Sequence, residues 1–302
     1  MLFTKVPDSE NSPKIVLNSR TLPSSLRKGL NMNLKEKAMN LATQLLKTGI
    51  RVLGGSRSTS ISAQLAEELA PIVSQETAFG TINFFCPGKL PEWRARTLLT
   101  KEPETIEWIN TFSHMDVFWD IGANVGVYSL YAALRNIVVL SFEPSPSNYY
   151  LLSRNVEINK MDNRISALCI AFNDTTRLDS FYMVNTELGG ALNSFAEAVD
   201  WQGEPSTASF KQGMIGFSID DFIRQFNPLF PNHIKIDVDG IESKIIKGAE
   251  RTLSDRRVKS ILVEVTSGRE GYCIDIIEKA GMKFINTKND FTISSNYIFM
   301  RS

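Results

Sequence analysis

Apolar positions change rhythm twice along the chain. Residues 1–30 are polar and broken by "PDSENSP" and "RTLPSSLRKG", which predicts a loosely ordered arm. Asn33–Gly49, "NLKEKAMNLATQLLKTG", carries apolar residues at helical spacing and predicts a helix capped by Gly49, with its lysines and glutamates on a solvated face. "SISAQLAEELAPIV" predicts a second helix from about Ser60, ended by Pro71. "ETAFGTINFFCPG" alternates around Gly80 as a hairpin does, and "EPETIEWINTF" reads as a helix entered through Pro103.

From Asp116 short apolar runs alternate with helical segments. "DVFWDIG", "IVVLSFE", "RISALCIAF", "HIKIDVD" and "KSILVEV" read as buried strands. "VGVYSLYAAL", "SPSNYYLLSRNVEIN", "IESKIIKGAERTL" and "REGYCIDIIEKAG" read as helices, the second with Ser145 as N-cap and the last closed by Gly281. "MKFINTK" and "SNYIFMR" are terminal strands around "NDFTISS". This alternation predicts an α/β domain with a parallel sheet covered on both faces. The boundary falls near residue 75: an N-terminal, mostly helical extension (1–75) acting as a cap or homodimer element, then residues 76–302. Thr186–Gly216 does not alternate. It is long and glycine-rich, carries Trp201, and reads either as a lid or substrate wall or as a solvated insertion.

Composition narrows the function classes. The 302 residues are 43% hydrophobic, enough for a sizeable core, and the 33 basic residues balance 33 acidic ones. A net charge of zero gives no global pull on nucleic acid or anionic lipid. Cys86, Cys169 and Cys273 are far apart, odd in number and outside any CxxC pair, which suits buried thiols in a reducing compartment. Neither a signal-peptide pattern nor an apolar run of membrane-spanning length is present, so the expectation is a cytoplasmic protein without a membrane span or nucleic-acid partner.

The candidate chemistry starts at Val117–Leu130, "VFWDIGANVGVYSL". Ligands of open α/β sheets bind beyond the carboxyl ends of the strands, where Asp120 lies. Gly122 and Gly126 let the backbone turn tightly there, and the next helix points its N-terminus at the same place. Glu143 ends the second strand, about 20 residues further on, where an acidic residue accepts ribose hydroxyls. A carboxylate before the first glycine would repel a pyrophosphate but welcome a cationic nucleoside such as S-adenosylmethionine (SAM). The plain alternative is a strand-to-helix turn whose glycines only permit close packing. A nicotinamide-dependent oxidoreductase is a weaker reading, because the third glycine of GxGxxG is missing.

"FWDIGANVGVYSLYAA", "FEPSPSNYYLLSRNVEIN", "SIDDFI", "IKIDVDGIESKIIKGAERTL" and "ILVEV" together resemble the FkbM family of SAM-dependent methyltransferases, from about Gly80 to the C-terminus. The resemblance implies a class I methyltransferase (Rossmann-like) fold of seven strands with the last antiparallel. It also implies methyl transfer from SAM, usually to an oxygen. Asp120, Gly122, Asn124 and Gly126 match the family's SAM loop, and Glu143 its ribose acceptor. Pro144, Ser145 and Asn148 would line the adenosine pocket, and Asn173 and Asp174 fall where such folds contact adenine.

Transfer to a hydroxyl requires a nucleophile about 3 Å from the methyl and a destination for one proton. Lys235, Asp237 and Asp239 share one face of "HIKIDVDG", and Glu242 opens the next helix. Asp237 is the first expectation for catalysis or orientation, then Asp239 and Glu242, with Lys235 stabilising a developing alkoxide. Their structural alternatives are an Asp239-Gly240 turn, a helix-start glutamate and a Lys235–Asp237 pair. Asp237, Asp239 and Glu264 are oxygen ligands of the type that suits a divalent metal, although none is predicted. His114 and His233 are isolated and read as structural, and Tyr149 and Tyr150 as packing. Trp201, Asn193 and Ser194 are candidates in the long segment, Trp201 for stacking on a sugar. The expected acceptor is a small molecule or glycan hydroxyl; a catalytically silent SAM-binding module is the alternative from another class.

Overall fold

A computed structural model describes residues 24–200, 202, 204–266, 270–287 and 294–301. The arm up to residue 23, Trp201 and most of "NDFTISS" lie outside the described residues. Contacts divide the chain into Met1–Leu69 and Ala70–Ser302. In the first unit α1 (Ser24–Val52) runs through Gly49, the expected C-cap, where an added Cβ would meet nothing within 4 Å. The break comes at Gly54 and Gly55, both at positive φ, before α2 (Gly55–Leu69), which ends just ahead of Pro71.

The second unit opens with the expected hairpin, β1 (Ile72–Thr77) and β2 (Gly80–Phe85), paired antiparallel. Helices α3 (Lys89–Arg96) and α4 (Pro103–Asn110) follow. Then come β3 (Val117–Ile121), α5 (Val127–Leu134), β4 (Val138–Phe142), α6 (Pro146–Ile158) and β5 (Ile165–Leu168). Ser145 is the N-cap of α6, but its hydroxyl contacts Ser147 Oγ rather than a helix amide. The chain next forms β6 (Ala171–Phe172), β7 (Arg177–Met183), β8 (Asn193–Phe195), β9 (Phe210–Phe217) and α7 (Ile219–Phe226). It ends with β10 (His233–Ile236), α8 (Glu242–Lys247), α9 (Glu250–Ser254), β11 (Ser260–Thr266), α10 (Glu270–Lys279), β12 (Met282–Thr287) and β13 (Ser294–Arg301).

The main sheet has seven strands in the order β12-β13-β11-β10-β3-β4-β5. β13 inserts antiparallel between β11 and β12, while β10, β11, β3, β4 and β5 are parallel, so the class I methyltransferase topology is present. Alternate residues of the central strands feed two cores. Trp119, Phe142 and Ile236 pack with Phe222 and Ile245 on one face; Phe118, Val139 and Leu262 pack with Trp108, Leu130 and Phe84 on the other.

Three expectations are corrected. "RISALCIAF" is not one strand: β5 stops at Leu168, and Ala171–Phe172 leaves to pair with β9 in a second, four-stranded sheet of order β6-β9-β7-β8. Two parts of Thr186–Gly216 are therefore sheet, because β8 and β9 both pair with β7. "IESKIIKGAERTL" is two helices, broken around Gly248, where a Cβ would lie 2.3 Å from the Asn173 carbonyl oxygen.

His233, at the amino end of β10 away from the ligand end, is structural. Its ring stacks on Phe112 with centroids 3.7 Å apart and bonds to Ser260 Oγ (2.7 Å) and Asp116 Oδ2 (3.0 Å). Burial pushes its pKa down to about 4, against the upward pull of Asp116. The unfolded chain, with an ordinary histidine, then binds more protons between about 6.5 and 4. Stability is full above that window and falls as pH drops through it. Urea unfolding at pH 7.5 and 4.5 should show the loss, and His233→Gln should flatten the pH dependence.

Candidate functional site

The ligand-end loop after β3 explains the glycine spacing. Gly122, Asn124 and Gly126 all have positive φ, at 82°, 51° and 85°. Glycine adopts that conformation freely, and asparagine tolerates it better than most residues. The alternation turns the chain back so that the Gly122 and Ala123 amides both donate to the Phe142 carbonyl, at 2.9 and 3.1 Å. Gly122 lies so close to β10 that a Cβ would sit 1.9 Å from the Asp237 carbonyl oxygen.

Glu143, buried at the end of β4, holds this loop. Its Oε2 accepts from the Asn124 amide at 2.8 Å and its Oε1 from the Ser145 amide at 2.9 Å. Burial raises its pKa to about 7, although these amides, Asn148 and Arg94 all act to lower it. Around the loop lies a cavity of about 400 Å³. Gly122, Asn124, Glu143, Pro144 and Asn148 line one side; Asp237, Val238, Asp239, Gly240, Glu242 and Glu264 line another. Both expected groups, the nucleoside-side residues and the carboxylates after β10, therefore meet in one space.

Six expected residues are not among the lining residues. Asp120 is turned beneath the loop, where its Oδ2 accepts from Ser129 Oγ at 2.5 Å and burial raises its pKa. It shares the face of Phe118, so strand alternation takes it into the core under α5. Gly126 and Ser145 shape the backbone at helix starts. Asn173 and Asp174 are carried off with β6: Asn173 is fully buried and donates to the Phe195 carbonyl, while Asp174 pairs with Arg177 and Lys247. Lys235 also lies beneath the main cavity, 1% exposed, paired with Asp237 and beside Asp120 in the strand register.

The acidic side is electrostatically graded. Burial pushes Asp237 up, but Lys235, a hydrogen bond with Glu264 and Lys101 more than offset it, so its pKa lies well below the usual range. Burial and Asp237 raise Asp239 to about 6, against the donated amides of Leu192 and Asn193. Burial raises Glu242 to about 8, against the Gly240 amide. Asp237 is thus a fixed anion already neutralised by an ammonium, whereas Asp239 and Glu242 titrate near neutrality. Among the described residues, no group of three or more His, Cys, Asp or Glu side chains is arranged to hold a metal ion.

Several lining residues carry no local signal in the sequence. Gly190, Ala191, Leu192 and Asn193 are tied down as one wall. The Gly190 carbonyl accepts from Asn124 Nδ2 (2.9 Å) and Asn148 Nδ2 (3.0 Å), the Gly189 amide donates to Asn148 Oδ1 (2.9 Å), and Asp239 Oδ2 accepts from the Leu192 amide (2.5 Å). This wall is part of the glycine-rich segment. Arg94 from α3, Lys101 before α4 and Phe181 of β7 complete the lining; among the described residues Asn193 is the candidate of that segment that reaches the cavity, and Ser194 is buried beside it.

The chain is similar to methyltransferase sdnD of Sordaria araneosa, at 27% identity over 167 residues, covering 48% of this chain and 64% of that protein. It is similar to hexuronic acid methyltransferase AglP of Haloferax volcanii, at 23% identity over 176 residues, covering 58% and 66%. The chain therefore spans just under two thirds of the length of these curated relatives. A solved precorrin-6y C5,15-methyltransferase from Geobacter metallireducens GS-15 aligns at a TM-score of 0.41 and 13% identity, over 69% of this chain and 93% of that one. The family profile described as the methyltransferase FkbM domain matches residues 120–284, which hold the glycine loop, Glu143 and the β10 carboxylates. With more than half of the chain matched, it belongs to the FkbM methyltransferase family, whose cofactor is S-adenosylmethionine.

Proposed function

We propose that the chain transfers a methyl group from SAM to a hydroxyl oxygen of a sugar, glycan or natural-product acceptor. The residues fit the cofactor. The buried Asn124 Oδ1 has no partner among the described residues. Glu143 keeps lone-pair capacity beyond its two amides for ribose hydroxyls, and the carboxylates favour a cationic ligand. When bound, SAM supplies an electrophilic methyl on a positive sulfur.

The observation that carries transfer to oxygen is the pair Asp239 and Glu242, on the same cavity as the glycine loop. A hydroxyl nucleophile must lose its proton, and a base works best when its pKa lies near the working pH. Asp239 and Glu242, at about 6 and 8, meet that condition, whereas the lowered Asp237 does not. Asp237 instead holds Lys235 and Glu264 in place, and Asp239 also anchors the Leu192–Asn193 wall. Glu242 thus takes the proton, with Asp239 orienting the acceptor. The hexuronic acid named for AglP supports a sugar-type acceptor.

The test is transfer of labelled methyl from SAM to a panel of sugars, uronic acids and hydroxylated natural-product scaffolds. Product carrying the label on oxygen supports the reading; label on nitrogen or carbon refutes it. Glu242→Gln should lower kcat by about 100-fold and leave SAM affinity unchanged. In the wild type, kcat should rise with pH between about 6 and 8, as the two carboxyls ionise.

Glu143→Ala should weaken SAM binding at least tenfold by calorimetry, about 1.4 kcal/mol or more. The wild-type affinity should rise with pH through about 7, because the ionised carboxylate is the better acceptor of ribose hydroxyls.

A further inference from the structure

Arg94 stands apart from the rest of the cavity. The lining carries five carboxyl side chains, those of Glu143, Asp237, Asp239, Glu242 and Glu264, and two cations, Arg94 and Lys101. Lys101 is committed to an ion pair with Glu102. Arg94 is half-buried and spends one donor: its Nε donates to the Gly189 carbonyl at 2.8 Å. Among the described residues it forms no ion pair and no hydrogen bond from either Nη. Its guanidinium lies 5.9 Å from the Trp93 ring centroid. It lowers the pKa of both Glu143 and Asp239, so its field reaches both sides of the cavity.

The geometry points to Arg94 as a carboxylate-binding residue of this cavity, its two Nη groups forming a fork for a ligand's carboxylate. The Nε–Gly189 bond fixes the guanidinium plane, which leaves the remaining donors preorganised. A planar fork matches a carboxylate with two parallel bonds. The crowd of acids nearby disfavours a dianionic phosphate but suits a ligand whose carboxylate travels with a cation, or a singly charged acid. Two sources share this chemistry: the amino-acid end of SAM, and an acidic acceptor such as a uronic acid. This inference rests on the reading of the cavity as the SAM and acceptor site. Arg94 itself lies outside the matched family segment.

The experiment is titration of the full chain, wild type and Arg94→Gln, with three probes. These are S-adenosylhomocysteine, which keeps the amino-acid end, methylthioadenosine, which lacks it, and D-glucuronate with D-glucose as its uncharged counterpart, each sugar tested with and without S-adenosylhomocysteine. Tenfold or greater weakening of S-adenosylhomocysteine in Arg94→Gln, with methylthioadenosine unchanged, supports the cofactor carboxylate. Unchanged nucleosides with wild-type glucuronate binding that is lost in the variant, and no glucose binding, support the acceptor carboxylate. Equal weakening of all probes would show that Arg94 only holds the Gly189 wall and would overturn the inference, as would no change in any of them. Wild-type protein that binds neither nucleoside sinks the cofactor-site reading. The carboxylate site survives that result only if glucuronate still binds and is lost in Arg94→Gln; absence of all binding overturns both.

Discussion

Gly122→Ala is expected to abolish SAM binding and to lower stability by about 3 kcal/mol or more. The left-handed conformation at this residue alone costs a side-chain-bearing residue of order 1–3 kcal/mol. The added methyl would also sit 1.9 Å from the Asp237 carbonyl oxygen, and that neighbour is backbone. It cannot rotate away as a side chain would. Either β3 and β10 separate, breaking the Asp237 amide's bond to the Ile121 carbonyl (3.0 Å), or the loop swings out and takes the Asn124 amide off Glu143. Both routes remove the cofactor side of the cavity. Gly126→Ala is the informative comparison. Its φ is equally unfavourable, but the Cβ there meets the end of the Leu152 side chain, which can move. Urea midpoints and SAM calorimetry on both variants check the order: Gly122→Ala the more damaged in both, with an equal loss counting against the backbone clash as the cause.

Lys235→Met should be the most destabilising change among the charged residues, by about 3–5 kcal/mol. The ammonium is 1% exposed, pairs with Asp237, lies 4.9 Å from the Tyr128 ring centroid and has Asp120 beside it in the register. Burial works against its charge, but Asp237, Glu102 and Asp120 together raise its pKa above the ordinary lysine value. The wild-type pair therefore contributes fully between roughly pH 4 and 10, the ordinary carboxylate and lysine values. Its contribution is lost on the acid side as Asp237 protonates below its lowered pKa, and on the alkaline side as Lys235 deprotonates above its raised one. Removing the lysine leaves the buried Asp120 and Asp237 carboxylates without their nearest counter-charge, and their folded-state pKa values then rise. The deficit of the variant should accordingly be largest at pH 8 and shrink towards pH 5, where protonation relieves the uncompensated charge. Chemical denaturation at both pH values measures it; a pH-independent deficit would mean that lost packing, not charge, sets the cost.

The sequence by itself determined the parallel α/β core and the position of the ligand loop. Those features are local: short continuous apolar runs make strands buried on two faces, and Gly122 and Gly126 mark a tight turn, which the structure shows at positive φ. Glu143 was legible for the same reason, since it ends a strand adjacent to the loop strand. The tertiary structure alone decided which side chains enter the cavity. Asp120 reads as a ligand residue from its place before the glycines, yet the pleat of β3 turns it to α5 and Ser129. Asn173 and Asp174 read as adenine contacts on a continuous strand, yet β6 pairs with β9 and carries them away. The second sheet was hidden because its strands find their partners across Arg177–Phe217 rather than through a tight turn with a local signature. Arg94 and the Gly190–Asn193 wall share that property. Their roles arise from hydrogen bonds between residues far apart in the chain, such as Arg94 to Gly189 and Asp239 to Leu192. No local pattern of residue types encodes a contact of that kind, because it exists only after the sheet has formed.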